Sequence, residues 1–162
     1  MKSIWAPWRI DFILGEKQMD CFLCEEPKKE MSQSSLVLAK TDYSFVIMNR
    51  YPYTNGHLLV SPYRHVSSPS MLNREEAMDL HELLVKSSDI LGRVFSTDGI
   101  NIGMNLGKAA GAGIEDHIHY HIIPRWFGDT NSMTTVGETR VIPEALEASY
   151  AKLAPYFLEE FD

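Results

Sequence analysis

Short apolar runs separated by polar turns mark the first part of the chain. Leu36-Val37-Leu38-Ala39 and Ser44-Phe45-Val46-Ile47-Met48 read as two β-strands, with a turn at Thr41-Asp42 between them. Asn49 to Gly56 holds Pro52, Asn55 and Gly56 and reads as a connection, and His57-Leu58-Leu59-Val60-Ser61 as a third strand ended by Pro62. The period then changes. Apolar residues recur at Met78, Leu80, Leu83, Leu84, Ile90, Leu91, Val94 and Phe95, which predicts a long helix. Asn73 suits its N-cap, with Glu76 three positions on. Two more strands are predicted, Ile100 to Asn105 and His117 to Ile123, the latter stopped by Pro124. A shorter helix is predicted from Pro143 to Phe157, with Pro143 in its first turn. This order implies an α+β fold, an antiparallel sheet of about five strands with the long helix packed on one face.

Composition adds bounds. The 162 residues are 44% hydrophobic and 23% charged, which suits one domain with its own core. Residues 1–20 read as an N-terminal arm that docks through Trp5 and Trp8, and Glu25 to Ser35 as a surface loop. The start has no continuous apolar stretch of the kind a secretory signal needs, and no later run has the length of a membrane span. A cytoplasmic protein with no membrane partner is expected. The net charge of -7 argues against a non-specific nucleic-acid binder, which needs a basic face, but is compatible with a small anionic substrate held in a pocket.

The candidate chemistry is concentrated in His117-Ile118-His119-Tyr120-His121, which holds three of the six histidines. In a strand these three would share one face while Ile118, Tyr120 and Ile122 anchor the other. A neutral imidazole is a competent nucleophile near neutral pH, and flanking imidazoles can donate hydrogen bonds to phosphate oxygens. The spacing also fits a metal-binding face. Just upstream, the glycine- and alanine-rich loop Gly107 to Gly113 would let backbone amides approach phosphates. Cys21 and Cys24, the only cysteines, are spaced as a metal site or a redox pair. His81 lies within the long helix, where a surface position is the default.

His117-Ile-His119-Tyr-His121-Ile-Ile, followed by Pro124-Arg125, resembles the signature of the histidine-triad (HIT) hydrolases and transferases. The resemblance extends upstream through Asn49-Arg50-Tyr51-Pro52 and Gly56-His57-Leu58-Leu59-Val60, and covers roughly residues 21–125. It implies one HIT domain over residues 1–162, with 126–162 as a C-terminal extension, and a homodimer joined near the long helix and the histidine strand. It implies that His119 is the nucleophile, that His121 binds the attacked phosphate, and that His57 is the buried histidine behind them. Asn49 would hold the ribose, and Asn105 would stand near the α-phosphate. The usual Ala-Gly-Gln-Thr before the triad is replaced by Gly111-Ala112-Gly113-Ile114-Glu115-Asp116, so backbone amides at Gly111 and Gly113, or Lys108, would replace the missing glutamine. Trp5-Ala6-Pro7-Trp8-Arg9 and Gly128-Asp129-Thr130-Asn131 resemble the diadenosine-tetraphosphate (Ap4A) phosphorylase-like branch. Arg125, Trp126 and Asn131 would line the end of the pocket that holds distal phosphates or a second base, and Phe45 or Ile47 a slot for the first base.

Bacterial relatives with a C-x-x-C further imply a structural Zn²⁺ on Cys21, Cys24, His65 and His117; the competing reading is two reduced cysteines and a surface His65. The expected activity is cleavage of dinucleoside polyphosphates, with Mg²⁺ accompanying the substrate and orthophosphate favoured over water as acceptor. A Hint-like phosphoramidase and a zinc-containing nucleotide-binding module are the rival readings.

Overall fold

The computed structural model describes residues 21–135 and 141–161. The predicted arm at residues 1–20 lies outside the described residues. The chain opens with a short helix α1 (Phe22–Glu25), followed by strands β1 (Val37–Lys40), β2 (Ser44–Met48) and β3 (Leu58–Pro62). The long helix α2 (Arg74–Phe95) precedes β4 (Gly99–Met104) and β5 (Tyr120–Arg125); α3 (Ser132–Thr135) and α4 (Leu146–Phe161) follow. The five strands form one sheet in the order β1-β2-β3-β5-β4, with every pair antiparallel. This is the expected α+β fold.

Helix α2 starts where the sequence placed it. The Asn73 side chain accepts from the Glu76 amide at 2.9 Å, and the Glu76 carboxylate accepts from the Asn73 amide at 2.8 Å, a reciprocal capping box. Glu76 also takes a two-pronged contact from Arg64, at 2.8 and 2.6 Å, which ties the loop after β3 to the helix start. Leu83, Ile90 and Leu91 pack from α2 onto the sheet, where Phe45, Leu58 and Ile122 are fully buried. Helix α4 adds Leu153 and Phe157 and anchors β1 through the Tyr150 hydroxyl, which donates to the Val37 carbonyl. His81 is exposed on α2, as expected.

Three local expectations need correction. The C-terminal helix begins at Leu146, not Pro143, and runs through Pro155 to Phe161. Glu144 is drawn to Asn55, which donates to its carboxylate and accepts from its amide, while Ser149 and Lys152 of the helix donate to the same carboxylate. Beyond Pro155, the buried Phe157, its stacking on Phe161, and ion pairs from Glu160 to Lys86 and Arg93 of α2 outweigh the hydrogen bond proline cannot make. The last strand begins at Tyr120 and passes through Pro124. Pro124 lies past Ile122, the last residue paired with β3, so it faces the 49–56 connection on that edge. Phe45 and Ile47 are 0% and 3% exposed and belong to the core, Phe45 stacking on Tyr63, so neither offers an open slot to a base. No helix among the described residues is long and apolar enough to cross a membrane.

Candidate active site

The register builds the site. Leu59 pairs with His121, so their side chains share a sheet face, and His57, two residues before Leu59, shares it too. The His57 and His121 rings lie 5.1 Å apart between centroids, and the His119 and His121 rings 4.9 Å. All three are buried.

Hydrogen bonds assign the proton on each ring. His119 Nδ1 is 2.9 Å from the His117 carbonyl oxygen, which can only accept, so Nδ1 carries the proton and Nε2 keeps its lone pair. The Tyr53 amide donates to His57 Nδ1 at 3.1 Å, so the neutral His57 ring holds its proton on Nε2. His57 Nε2 then donates to His121 Nδ1 at 2.9 Å, which leaves the His121 proton on Nε2. Burial first, then the neighbouring imidazoles, push His57 down to about 3; burial, then His119, push His121 down to about 4. Both rings are therefore neutral at physiological pH. The result is one ring with a bare nitrogen beside another that offers an N–H, which is the equipment for nucleophilic attack on a phosphorus atom.

Asn49 is folded into this network: its Nδ2 donates to His57 Nδ1 at 3.3 Å and its Oδ1 accepts from the Tyr51 amide at 2.9 Å. The pairing of Met104 with Tyr120, continued by one residue, sets Asn105 level with His119. Lys108 starts an exposed 3-10 turn, and Gly107 and Gly111 flank it with φ of 76° and 83°, backbone that glycine adopts without strain. Arg125 makes a two-pronged pair with Asp129, at 2.5 and 2.8 Å, and also reaches Asn101 and Thr130. The pair holds Asp129 well below the usual carboxylate range. Trp126 donates its indole N–H to the Phe95 carbonyl. Tyr53 was missed by the sequence reading, although it is one of two tyrosines in the connection before His57. Its ring lies 4.5 Å from that of His57 and 5.7 Å from that of His121.

His117 parts from the other two. The β3–β5 ladder ends at the Val60–Tyr120 pair; the Ile118 amide instead donates to the Val66 carbonyl, and its carbonyl accepts from Ser61. The alternation expected of a strand therefore does not extend to His117. Its Nε2 donates to the Pro62 carbonyl at 2.8 Å, which leaves Nδ1 unprotonated and aimed at the cysteines, 3.3 Å from Cys21 Sγ and 3.4 Å from Cys24 Sγ. His65 Nδ1 lies 3.2 Å from Cys24 Sγ, and the four ligating atoms all fall within 4.8 Å of one another. A sulfur and a nitrogen on one tetrahedral zinc stand about 3.5 Å apart, given bonds of about 2.3 and 2.0 Å, so this cluster can hold a metal ion. Burial, then Cys21, push the Cys24 thiol up to about 11; a bound cation would reverse that, because metal ligation favours the thiolate.

A sheet that presents two buried histidines, one with its proton on Nδ1 and its neighbour with an Nε2–H, has the arrangement a phosphorus-directed histidine site needs. Residues 30–128 match the HIT domain, and the chain belongs to that family. It is 33% identical to a Mycobacterium tuberculosis protein named AP-4-A phosphorylase, across 95% of this chain and 83% of that one. Among solved structures it resembles Plasmodium falciparum diadenosine triphosphate hydrolase at 28% identity and a TM-score of 0.64, covering 82% of each chain. It also resembles a Zn-bound histidine triad family protein from Mycobacterium smegmatis, at 25% identity and a TM-score of 0.68, covering 88% of this chain and 96% of that one.

Proposed function

We propose that this protein cleaves dinucleoside polyphosphates such as Ap4A through a nucleotidyl-histidine intermediate, with orthophosphate as the preferred acceptor. The observation that carries the reading is the His119 Nδ1–His117 carbonyl bond, which leaves a bare Nε2 on the nucleophile. His119 Nε2 attacks the α-phosphorus of one nucleotide, the bond to the bridging oxygen breaks, and its electron pair leaves with the polyphosphate as ATP. The His121 Nε2–H donates to a phosphate oxygen, while His57 fixes its tautomer from behind. The acceptor oxygen then attacks phosphorus, the P–N bond breaks, the pair returns to His119 Nε2, and the acceptor's proton passes to solvent. Orthophosphate yields ADP; water yields AMP. Asn49, Asn105, Lys108 and the amides at Gly111 and Gly113 lie on the segments expected to hold the nucleotide, with Mg²⁺ entering alongside the polyphosphate. The similarity to the protein named AP-4-A phosphorylase across most of both chains supports the phosphorylase side.

Cys21, Cys24, His65 and His117 would hold a structural Zn²⁺, which when bound supplies a rigid cross-link and takes no part in the reaction. The donor set and the Zn-bound relative support zinc over other metals. Two free thiols in a metal cluster fit a reducing, cytoplasmic setting. We also read the chain as one domain that forms a homodimer. Support comes from the edge strand β4, whose residues are exposed or half-buried, with Ile102 at 48% exposed and Val85 of α2 at 47%. The deciding experiment is product analysis with Ap4A, with and without orthophosphate. Phosphate-dependent ADP plus ATP supports the phosphorylase, and AMP plus ATP regardless of phosphate makes it a hydrolase. No cleavage in either condition overturns the dinucleotide reading.

A further inference from the structure

One solvent-facing side chain packs against both members of the His57–His121 pair. His57 is 0% exposed and His121 8%, whereas Tyr53 is 43% exposed. Its ring lies 5.7 Å from that of His121 at an interplanar angle of 23°, a stacked arrangement, and 4.5 Å from that of His57 at 45°. His121 thus has three rings against it, those of Tyr53, His57 and His119, and Tyr53 is the most exposed of the three.

The connection that carries this ring is fixed at several points. The Tyr53 amide donates to His57 Nδ1, the Thr54 hydroxyl donates to the Pro124 carbonyl at 3.2 Å, and the Asn55 side chain exchanges hydrogen bonds with Glu144. The bond to Pro124 ties the ring to β5, the strand that carries His121. The amide contact needs no tyrosine, since every residue but proline supplies an N–H. What tyrosine adds is a flat ring against the pair. The 2.9 Å bond from His57 Nε2 to His121 Nδ1 is the contact that assigns the His121 proton to Nε2. Away from water that bond is strong and has no competitor; with water admitted, either ring can bond a water instead and turn. A turn of His121 displaces the N–H that a phosphate oxygen must meet, and a displacement of about 1 Å can cost about a hundredfold in rate.

We propose that Tyr53 is a positioning residue, whose ring keeps the His57–His121 hydrogen bond dry and the His121 ring in one orientation. The proposal rests on the reading above that His121 donates to the phosphate, and adds a residue outside the histidines on which that donation depends. Because the ring acts through the histidine pair, its removal should slow the reaction without weakening substrate binding.

The test uses Tyr53→Phe, which keeps the ring, and Tyr53→Ala, which removes it, with Tyr53→Leu in place of the latter should it fail to fold. Imidazole ¹H–¹⁵N NMR at neutral pH reads the exchange of the His57 Nε2 proton with water. Steady-state kinetics with Ap4A and orthophosphate read kcat and KM separately. Removing the ring should speed the exchange at least about tenfold and lower kcat by about 10- to 100-fold, with KM within about threefold of wild type. Tyr53→Phe should stay within about threefold of wild type in all three quantities. An unchanged exchange rate, an unchanged kcat, or a loss in Tyr53→Phe as large as in Tyr53→Ala overturns the proposal. So does a loss confined to KM, which would make Tyr53 a substrate contact. If the wild type cleaves no Ap4A, the dinucleotide reading fails by itself, and the exchange rates alone decide whether the ring guards the pair.

Discussion

Replacing His57 by leucine, a side chain of similar size, tests the histidine relay with little cavity formation. His57 is 0% exposed and serves one interior acceptor, His121 Nδ1, which accepts from its Nε2. Its other partners, the Tyr53 amide and the Asn49 side chain, belong to an exposed and a half-buried residue and can find water. A stranded interior polar group costs about 1–3 kcal/mol, so His57→Leu should destabilise the fold by about that amount. Urea unfolding at neutral pH measures this. The sharper comparison adds His121→Leu. Once both ends of the 2.9 Å bond are apolar the stranded acceptor is gone, so the double variant should be less destabilised than the sum of the singles by at least about 1 kcal/mol. Strict additivity would refute the relay. Turnover should fall by about a hundredfold in His57→Leu through misplacement of His121, and recover in part with His57→Gln, which keeps a donor.

Gly56, just before His57, has φ of +70°, and a Cβ there would come within 2.7 Å of Phe95 Cε2 and 3.3 Å of Leu91 Cδ2. Gly56→Ala should cost about 2–4 kcal/mol in urea unfolding, from left-handed backbone and overpacking together; a loss below about 1 kcal/mol would contradict this. The purified protein should carry about one zinc per chain by elemental analysis. Removing it with a chelator, or by Cys24→Ser, should cost about 4 kcal/mol and lower Tm by about 10 °C; an unchanged Tm in metal-stripped protein removes the structural role. Acid should weaken the fold in a defined window. The folded state holds His57 and His121 neutral down to about 3 and about 4, whereas the unfolded chain protonates them below about pH 6.5. The unfolded state therefore binds more protons in between, and stability present above about pH 6.5 is lost as pH falls, by about 1.4 kcal/mol per unit for each histidine. Urea midpoints of metal-stripped protein across this range check it, and a flat profile would count against the buried neutral pair.

Much of the fold was legible because its signals are local. The Asn73–Glu76 capping box needs only four adjacent residues, and Ser44–Met48 is a strand in which every residue is buried. The C-terminal helix was misplaced because its limits are tertiary. Pro155 is tolerated only because Phe157 and Glu160 meet the sheet and α2, and no local rule announces that. Phe45 and Ile47 failed as a base slot for a related reason: an apolar run does not tell that the rest of the chain will cover both faces of the strand, as it does for β2. Tyr53 was invisible because its role comes from a backbone amide and a ring placement, neither of which leaves a motif.

The division of labour among the three histidines has its cause in where a ladder stops. Had the pairing of β3 with β5 continued past Val60 and Tyr120, strict alternation would have kept His117 on the face of His119 and His121. The chain instead hands Ile118 to Val66 and Ser61, and His117 turns to Pro62 and the cysteines. One consequence binds the two sites together: the carbonyl that fixes the His119 tautomer belongs to His117, whose own ring faces the cluster that can hold a metal ion. A metal bound at that ring would therefore hold the backbone atom on which the His119 Nε2 lone pair depends. The Cys21–Cys24 pair at the start of the described chain is thus linked to the His119 ring through a single residue, His117. An array of evenly spaced histidines conceals this in the sequence, because spacing alone does not record that the strand begins between the second and the third.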